Sequence, residues 1–577
     1  MNHLPNRSIA IPLVSLLVIT LSLSACERVK NEPAEVVVHH AHILTMDEAM
    51  PVAQAIAIRS GRIVAVGTDA ELARWVGKTT QVMDAAGATV MPGLIDSHSH
   101  PVLGAEQLED CSLADKAMPL TAMRPIVEEC LARSPMAATN SWLALINLNP
   151  SNFEATAADL DQLHADRPFG LFGTDGHTAW VNSAGLRRLG ITRESKDPAG
   201  GRIVRDAAGN ATGHLIDAAV EWANEQLPAK PLAEKVRLAE RALQEMHKVG
   251  LTTLMEASAD EAILQVYKAL AEQGKLSAKV SVALTSAADP SAAHLQSLVA
   301  LRTKFSGIPH LQVDTIKVFA DGVIEHPTHS AALLALYQKA DGTNASTRGE
   351  LYFEPEKMAA FVTALDRNGF NVHVHAIGDW AVRATLDAFA AARKQNAKQS
   401  QAKFSISHLE LIDPADWPRF SELNVFASFQ LFWAQPDAYS VDAVQPYIGS
   451  DRSQGLYPAA SVHKAGGKIV GGSDWNVSSY NPWQAIATGL CRCNADEPER
   501  SPLAPTQALP LAVMLRAYTI EAARMLGREQ ELGSLRVGKS ADMIVLNQAP
   551  VSDADVLRAM QVNATMIDGK WVYRREL

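Results

Sequence analysis

The sequence predicts an α/β protein: a (β/α)8 TIM barrel carrying a small β-sandwich domain built from both chain ends. Three observations predict it. Eight short apolar runs, at 93–96, 252–256, 279–284, 315–319, 370–375, 404–408, 426–429 and 468–472, alternate with helical patterns at 261–272, 292–304, 356–368, 380–394 and 459–465. The two ends are instead rich in β-branched residues, at 36–38, 55–58, 62–66, 542–546 and 562–567, with Ser60-Gly61 and Asp568-Gly569 as hairpin turns. Candidate metal ligands also recur where the apolar runs end, on the face where barrel active sites sit.

These patterns divide the chain into a composite β-sandwich over 36–92 and 530–577 and a barrel over 93–529. A stretch at about 104–245 interrupts the barrel after its first strand, and its two apolar runs, 142–148 and 169–172, mark it as an insertion. With 577 residues, 47% of them hydrophobic, the chain can bury a large core without a disulfide scaffold. The net charge of −11, with no Lys/Arg run, excludes nucleic acid as a partner.

Residues 1–25 read as a targeting segment. Arg7 supplies a short positive region, and 9–25 are apolar or small without charge. That run is shorter than the ~20 residues a spanning helix needs. It ends Leu23-Ser24-Ala25-Cys26, which resembles a bacterial lipobox. The resemblance implies a lipidated Cys26 as the mature N-terminus and a lipoprotein anchored in the cell envelope. Glu27 is not the Asp associated with inner-membrane retention, which points to the outer membrane facing the periplasm. Residues 26–35 are polar, contain Pro33 and read as a tether. In an oxidising compartment Cys111 and Cys130 could pair. Cys491 and Cys493 are too close in sequence to pair without strain, and one CxC alone does not make a metal site.

The chemistry gathers at strand ends. In His98-Ser99-His100 the two imidazoles lie two residues apart, so an extended chain aims both at one point. That suits a divalent metal. His373 and His375 end the fifth run, His408 ends the sixth, and Asp474 follows the eighth. Lys317 lies inside the apolar fourth run, where an ammonium is costly unless paired, modified or ligating. Asp175-Gly176-His177, Trp180, Asn182 and Ser183 lie in the insertion. Asp321-Gly322 reads as a turn shaping the pocket, Asp379 as a helix N-terminal residue, and Trp433 and Trp475 as candidate pocket walls or packing residues.

The motifs MPGLIDSHSHP, DGHTAWVNSAGL, IKVFADGVIE, VHVHAIGD, GGSDWNV and GSLRVGKSADMIVL together resemble the amidohydrolase superfamily. The branch is the YtcJ-like one, amidohydrolase family 3, which includes N-substituted formamide deformylase. The resemblance implies that His98 and His100 hold one metal, that Lys317 is carboxylated by CO2 and bridges two, and that His375 and His408 hold the second. His373 is then a satisfied strand-end histidine. Asp474 is implied as a weak ligand and the catalytic acid–base. One or two divalent metals are expected, and imidazole with carboxylate favours zinc. His177, Asn182 and Trp475 are implied to touch substrate.

The implied function is hydrolysis of a non-peptide amide C–N bond in a small molecule by a metal-bound hydroxide. Formamides, N-acyl amino acids, cyclic amides and lactones all fit. A deaminase, a lactone or ester hydrolase of the same fold, and a non-catalytic surface lipoprotein are the alternatives. A deaminase of this superfamily usually carries a Glu shortly after the fifth-strand His, where this chain reads His375-Ala376-Ile377-Gly378-Asp379.

Overall fold

In a computed structural model describing residues 32–116, 118–133, 141–227, 229–287 and 290–575, eight strands run in parallel and curl into a barrel. They are Leu94–Ser99, Leu251–Ala259, Lys279–Thr285, Leu311–Phe319, Asn371–Ala376, Phe404–His408, Val425–Phe429 and Lys468–Gly471. Each pairs with the next in chain order. Val280, Val282, Ile316, Val318, Val372, Val374, Phe404 and Ile406 are all fully buried, as strands covered on both faces require. Ser97 Oγ donates to Gly471 O across the seam between the first and eighth strands (2.8 Å). Asp96 accepts from Ser473 N there.

The first strand runs past the predicted 93–96, so His98 lies inside it. His100 then precedes the helix Pro101–Gln107, whose first residue is a proline, as the missing N–H allows. The outer helices start where side chains can cap them. Asp260 accepts from Ile263 N ahead of Glu261–Glu272, and Ser291 from His294 N ahead of Ala292–Lys304.

The insertion holds a five-stranded sheet ordered Gly201–Arg205, Ala211–Asp217, Thr178–Val181, Phe169–Gly173 and Leu143–Leu148. Only the last two of these were legible as apolar runs. The inserted part also ends earlier than about 245. The helix Leu232–Lys248 belongs to the barrel, burying Val236, Leu243 and Met246 in the same core as Leu94 and Leu251.

The chain ends build two sheets. One runs Arg62–Gly67, Ala55–Arg59, Val36–His39 and Gln81–Asp84; the other runs Lys570–Arg574, Val562–Ile567, Met543–Leu546, Thr89–Pro92, His42–Leu44 and Val52–Ala53. The antiparallel pairing of Met543–Leu546 with Thr89–Pro92 joins the two ends. Ile56, Ile58, Ile63, Val90, Met543 and Met566 fill the core between the sheets. Lys279, at the barrel's N-terminal end, reaches into this domain: its Nζ lies 2.6 Å from Asp542, 2.8 Å from Asp568 and 2.9 Å from Ser540 Oγ.

Cys111 pairs with Cys130. Cys491 pairs with Cys493 as well, contrary to the expectation from their spacing. Arg492 between them adopts the left-handed region (φ 58°), and this folds the two Cα atoms to 5.1 Å, inside the span a disulfide requires. The leader 1–25 and Cys26 lie outside the described residues, as does most of the tether. Among the described residues no helix is long and apolar enough to cross a membrane.

Candidate metal centre

The C-terminal ends of the barrel strands bring five of the candidate ligands together. Asp474 Oδ1 lies 3.2 Å from His98 Nε2 and 3.0 Å from His100 Nε2. His408 Nδ1 lies 3.9 Å from Asp474 Oδ2, and Lys317 Nζ is 3.4 Å from His98 Nε2. One ligating atom each from His98, His408 and Asp474 falls within 4.8 Å of the others, and all three residues are buried. Gly472 makes the approach possible, because a Cβ there would stand 2.6 Å from His98 Cβ. His408 (φ 78°) and Asp474 (φ 53°) hold backbone conformations that side chains disfavour, a strain that recurs at functional sites.

His375 joins this group only in part. Its ring centre is 4.4 Å from that of His408, but its Nε2 donates to Gly322 O at 3.0 Å. His373 spans its neighbours instead, with Nε2 2.6 Å from His98 Nδ1 and Nδ1 2.7 Å from Ser405 Oγ.

The electrostatics suit a cation. Burial lowers His98 to about 3, with the Lys317 charge adding to the effect and Asp474 opposing it. Burial also carries His375 and His408 well below the usual imidazole range. In Asp474 the burial penalty is outweighed by His98 and His100, which hold the carboxyl well below its ordinary range. Burial brings Lys317 down to about 7, although Asp474 pulls the other way. Neutral imidazoles at His98, His375 and His408 thus face a carboxylate, whereas at His100 the cost of burial is outweighed by Asp474 and Glu256, which raise it to about 9. The buried His408 Nδ1 has no hydrogen-bond partner. That donor set fits a divalent metal of the zinc type.

A cavity of about 1160 Å³ opens over the cluster. His177 lines it, with Nδ1 2.6 Å from Asp217 Oδ1 and its ring 5.3 Å from that of His375. Burial alone would lower this imidazole, but Asp217 raises it to about 9. Trp433 also lines the cavity, stacked on His408 at 5.5 Å.

Two residues expected at substrate are elsewhere. Asn182 is fully buried: it accepts from Phe169 N and Gly185 N and donates to His164 O and Arg167 O, so all its polar atoms serve the fold of the insertion. Trp475 packs edge-on to Tyr480, and a Cβ on Gly104 would meet its ring at 2.9 Å. It is not among the residues lining the cavity. Asp321 accepts from Ile377 N, Gly378 N and Ala332 N, which fixes the loops around the site. Asp379 accepts from Leu334 N at its helix start.

Other contributors went unrecognised in the sequence. Glu256, fully buried on the second strand, holds Tyr267 Oη and Val102 N on Oε2 and has Oε1 3.8 Å from His100 Nδ1. An acid inside the apolar run 252–256 is the same signal that marked Lys317. Gln430 Oε1 accepts from His408 N. Asp115, Glu325, Glu410 and Asp437 also line the cavity. Burial raises Asp115 and Asp437 to about 6 and Glu325 to about 7; repulsion from Asp437 and Asp175 adds to the shifts of Asp115 and Glu325, and repulsion from Glu497 to that of Asp437.

A family model described as amidohydrolase family matches residues 81–573. N-substituted formamide deformylase from Arthrobacter pascens is 26% identical over 562 residues, covering 94% of this chain and 98% of that protein. Protein LONG AFTER FAR-RED 3 from Arabidopsis thaliana is 29% identical over 553 residues, covering 94% and 92%. Among solved structures, a metal-dependent hydrolase from Pyrococcus furiosus superposes with a TM-score of 0.67 over 89% of this chain and 99% of that one. At 22% sequence identity that likeness shows a shared fold.

Proposed function

The chain belongs to the amidohydrolase family, as a metal-dependent hydrolase of carbon–nitrogen bonds other than peptide bonds, and we propose that it cleaves a small amide in the cavity above His98, His408 and Asp474. The convergence of those three buried ligands carries the reading. His98, His100, His408 and Asp474 would hold zinc, with His375 completing the set once its Nε2 leaves the Gly322 carbonyl. Bound there, a divalent cation supplies Lewis acidity and brings the pKa of water towards neutrality.

The residues supply the remaining chemistry. Asp474, kept ionised, accepts a proton from the attacking water and returns it to the leaving nitrogen. An amine leaves poorly unless protonated, so amides need this transfer more than esters do. His177, held protonated by Asp217, faces the cavity and stabilises negative charge growing on the carbonyl oxygen. Lys317 is buried and close to neutral, the form that adds CO2 to give a carbamate. That anion is a better neighbour for metal than an ammonium. The carboxyl groups of Asp115, Glu325 and Asp437 along the cavity favour uncharged or cationic amides over substrates carrying a carboxylate. Asp379 is turned away onto Leu334 N, which weighs against a deaminase using an acid at that place.

Elemental analysis and an amide panel test the reading together. The expected result is one to two divalent metals per chain and turnover of N-substituted amides that chelation abolishes. Metal-free protein that keeps its turnover would overturn it. The chain is also proposed to be a lipoprotein. Cys26→Ala is expected to release it from the membrane fraction or block processing, and unchanged fractionation would refute the anchor.

A further inference from the structure

We propose that Cys491–Cys493 is a redox-active disulfide that undergoes exchange with dithiol reductants, independently of the hydrolytic centre. The pair ends the helix Pro482–Cys491 and is half-buried. It closes a loop of one intervening residue, where a disulfide restricts the unfolded chain least. Cys111–Cys130 differs on each point, with 19 residues of separation and Cys130 fully buried. The first pair is thus poorly suited to stapling, which leaves its chemistry to explain it.

That chemistry is built around a cation. Arg558, on the short helix Ala554–Arg558, brings Nη2 to 3.2 Å from both Cys491 Sγ and Cys493 Sγ, and the same nitrogen donates to Cys493 O at 3.0 Å. A guanidinium beside two sulfurs stabilises thiolate over disulfide and so favours the reduced state. Cys491 Sγ gains a second donor, Cys493 N, at 3.2 Å. Cys491 is therefore the better leaving thiolate and Cys493 the sulfur that is attacked.

A thiolate of the reductant attacks Cys493 Sγ. The S–S bond breaks, its electron pair stays on Cys491 beside Arg558, and a mixed disulfide forms at Cys493. The reductant's second thiol loses its proton and displaces Cys493. Two electrons and two protons move to the protein, and the reductant leaves as its disulfide. The turn survives the cycle because Arg492 is fully buried and donates to Leu503 O (3.0 Å), Tyr457 O (3.3 Å) and Leu456 O (2.8 Å). The two thiols stay juxtaposed, so when a disulfide oxidant forms a mixed disulfide with one of them, the other displaces it intramolecularly and the oxidant leaves as its dithiol.

The test uses the full metal-loaded protein equilibrated in dithiothreitol redox buffers, quenched with a maleimide and mapped by peptide mass spectrometry. Cys491 and Cys493 should be disulfide-linked in the oxidised protein and reach half reduction while Cys111–Cys130 remains intact and the protein folded. Arg558→Gln should lower the equilibrium constant for reduction about tenfold, the scale of losing one charged hydrogen bond, and Arg558→Lys should recover most of it. Free Cys491 and Cys493 thiols in air-oxidised protein would overturn the proposal. So would reduction only on unfolding, or a midpoint in folded Arg558→Gln equal to the wild type. If Arg558→Gln does not fold, the difference between the two wild-type disulfides decides alone.

Discussion

Lys279 and Lys317 stand on neighbouring barrel strands, each only 1% exposed, yet their surroundings are opposite. Lys279, at the N-terminal end, is met by Asp542, Asp568 and Ser540. Lys317, towards the C-terminal end, has around it His98 at 3.4 Å and the Phe319 ring at 4.9 Å. The strand chemistry is the same and only the partners differ. A buried charge with its partners in place fixes structure. One without them has its ionisation shifted and is available for chemistry. The difference follows the general division of the barrel, with stability at the bottom and catalysis at the top.

The sharpest break in this comparison is a pair of matched substitutions. Lys317→Met should lower kcat/KM by on the order of 10³ or more, as loss of a group that organises the centre does, and should remove most of the metal. Its metal-free melting temperature should stay level or rise, because a buried amine whose hydrogen-bond partner is an imidazole and not a carboxylate is gone. Lys279→Met should do the reverse. It leaves Asp542 and Asp568 without their cation and should cost about 3–5 kcal/mol of stability. Folded molecules should retain the wild-type kcat. Denaturation curves with steady-state kinetics on both variants decide the matter, and a stability loss in Lys317→Met as large as in Lys279→Met would erase the distinction.

The same contrast explains how much was legible in the sequence. The eight barrel strands stood out because strands buried on both faces read as continuous apolar runs. His98, Lys317, His408 and Asp474 stood out as polar residues at the ends of, or inside, such runs. Three strands of the insertion did not. Thr178–Val181 is only four residues long, and Gly201–Arg205 and Ala211–Asp217 mix polar residues with apolar ones on a part-exposed sheet. The partners of Lys279 also escaped notice, because Asp542 and Asp568 follow it by 263 and 289 residues and only the folded chain brings them near. Asn182 shows the opposite error: the family resemblance of its segment implied a contact with substrate, while its side chain is taken up by the backbone of the insertion.

Asn182→Ala extends the comparison to a neutral residue. Its four hydrogen bonds are all to backbone, and a capping residue with that role is worth about 1–2 kcal/mol or somewhat more. The variant should melt earlier while KM for an amide substrate stays within about twofold, since a structural loss leaves binding intact. A large rise in KM at unchanged stability would return Asn182 to the substrate site.

The smallest effect lies at the rim of the Lys279 cluster, where His310 Nε2 is 2.8 Å from Asp568 Oδ2. The hydrogen bond that His310 Nε2 donates to Asp568 raises the pKa of His310. In Asp568 the cost of burial is outweighed by His310 and Lys279, which hold it well below the usual range. The two linkages have opposite signs. The contribution of Asp568 is present above the ordinary aspartate pKa of about 4 and is lost as pH falls. That of His310 is complete below about 6.5 and is lost as pH rises through its raised value. His310→Asn should therefore destabilise most near pH 6 and least near pH 9, by under about 1 kcal/mol because both groups are part-exposed. Melting temperatures of the two proteins across that range measure it. A constant difference would show that the imidazole acts by packing, and the charged part of the cluster would then reduce to Lys279 with its two aspartates.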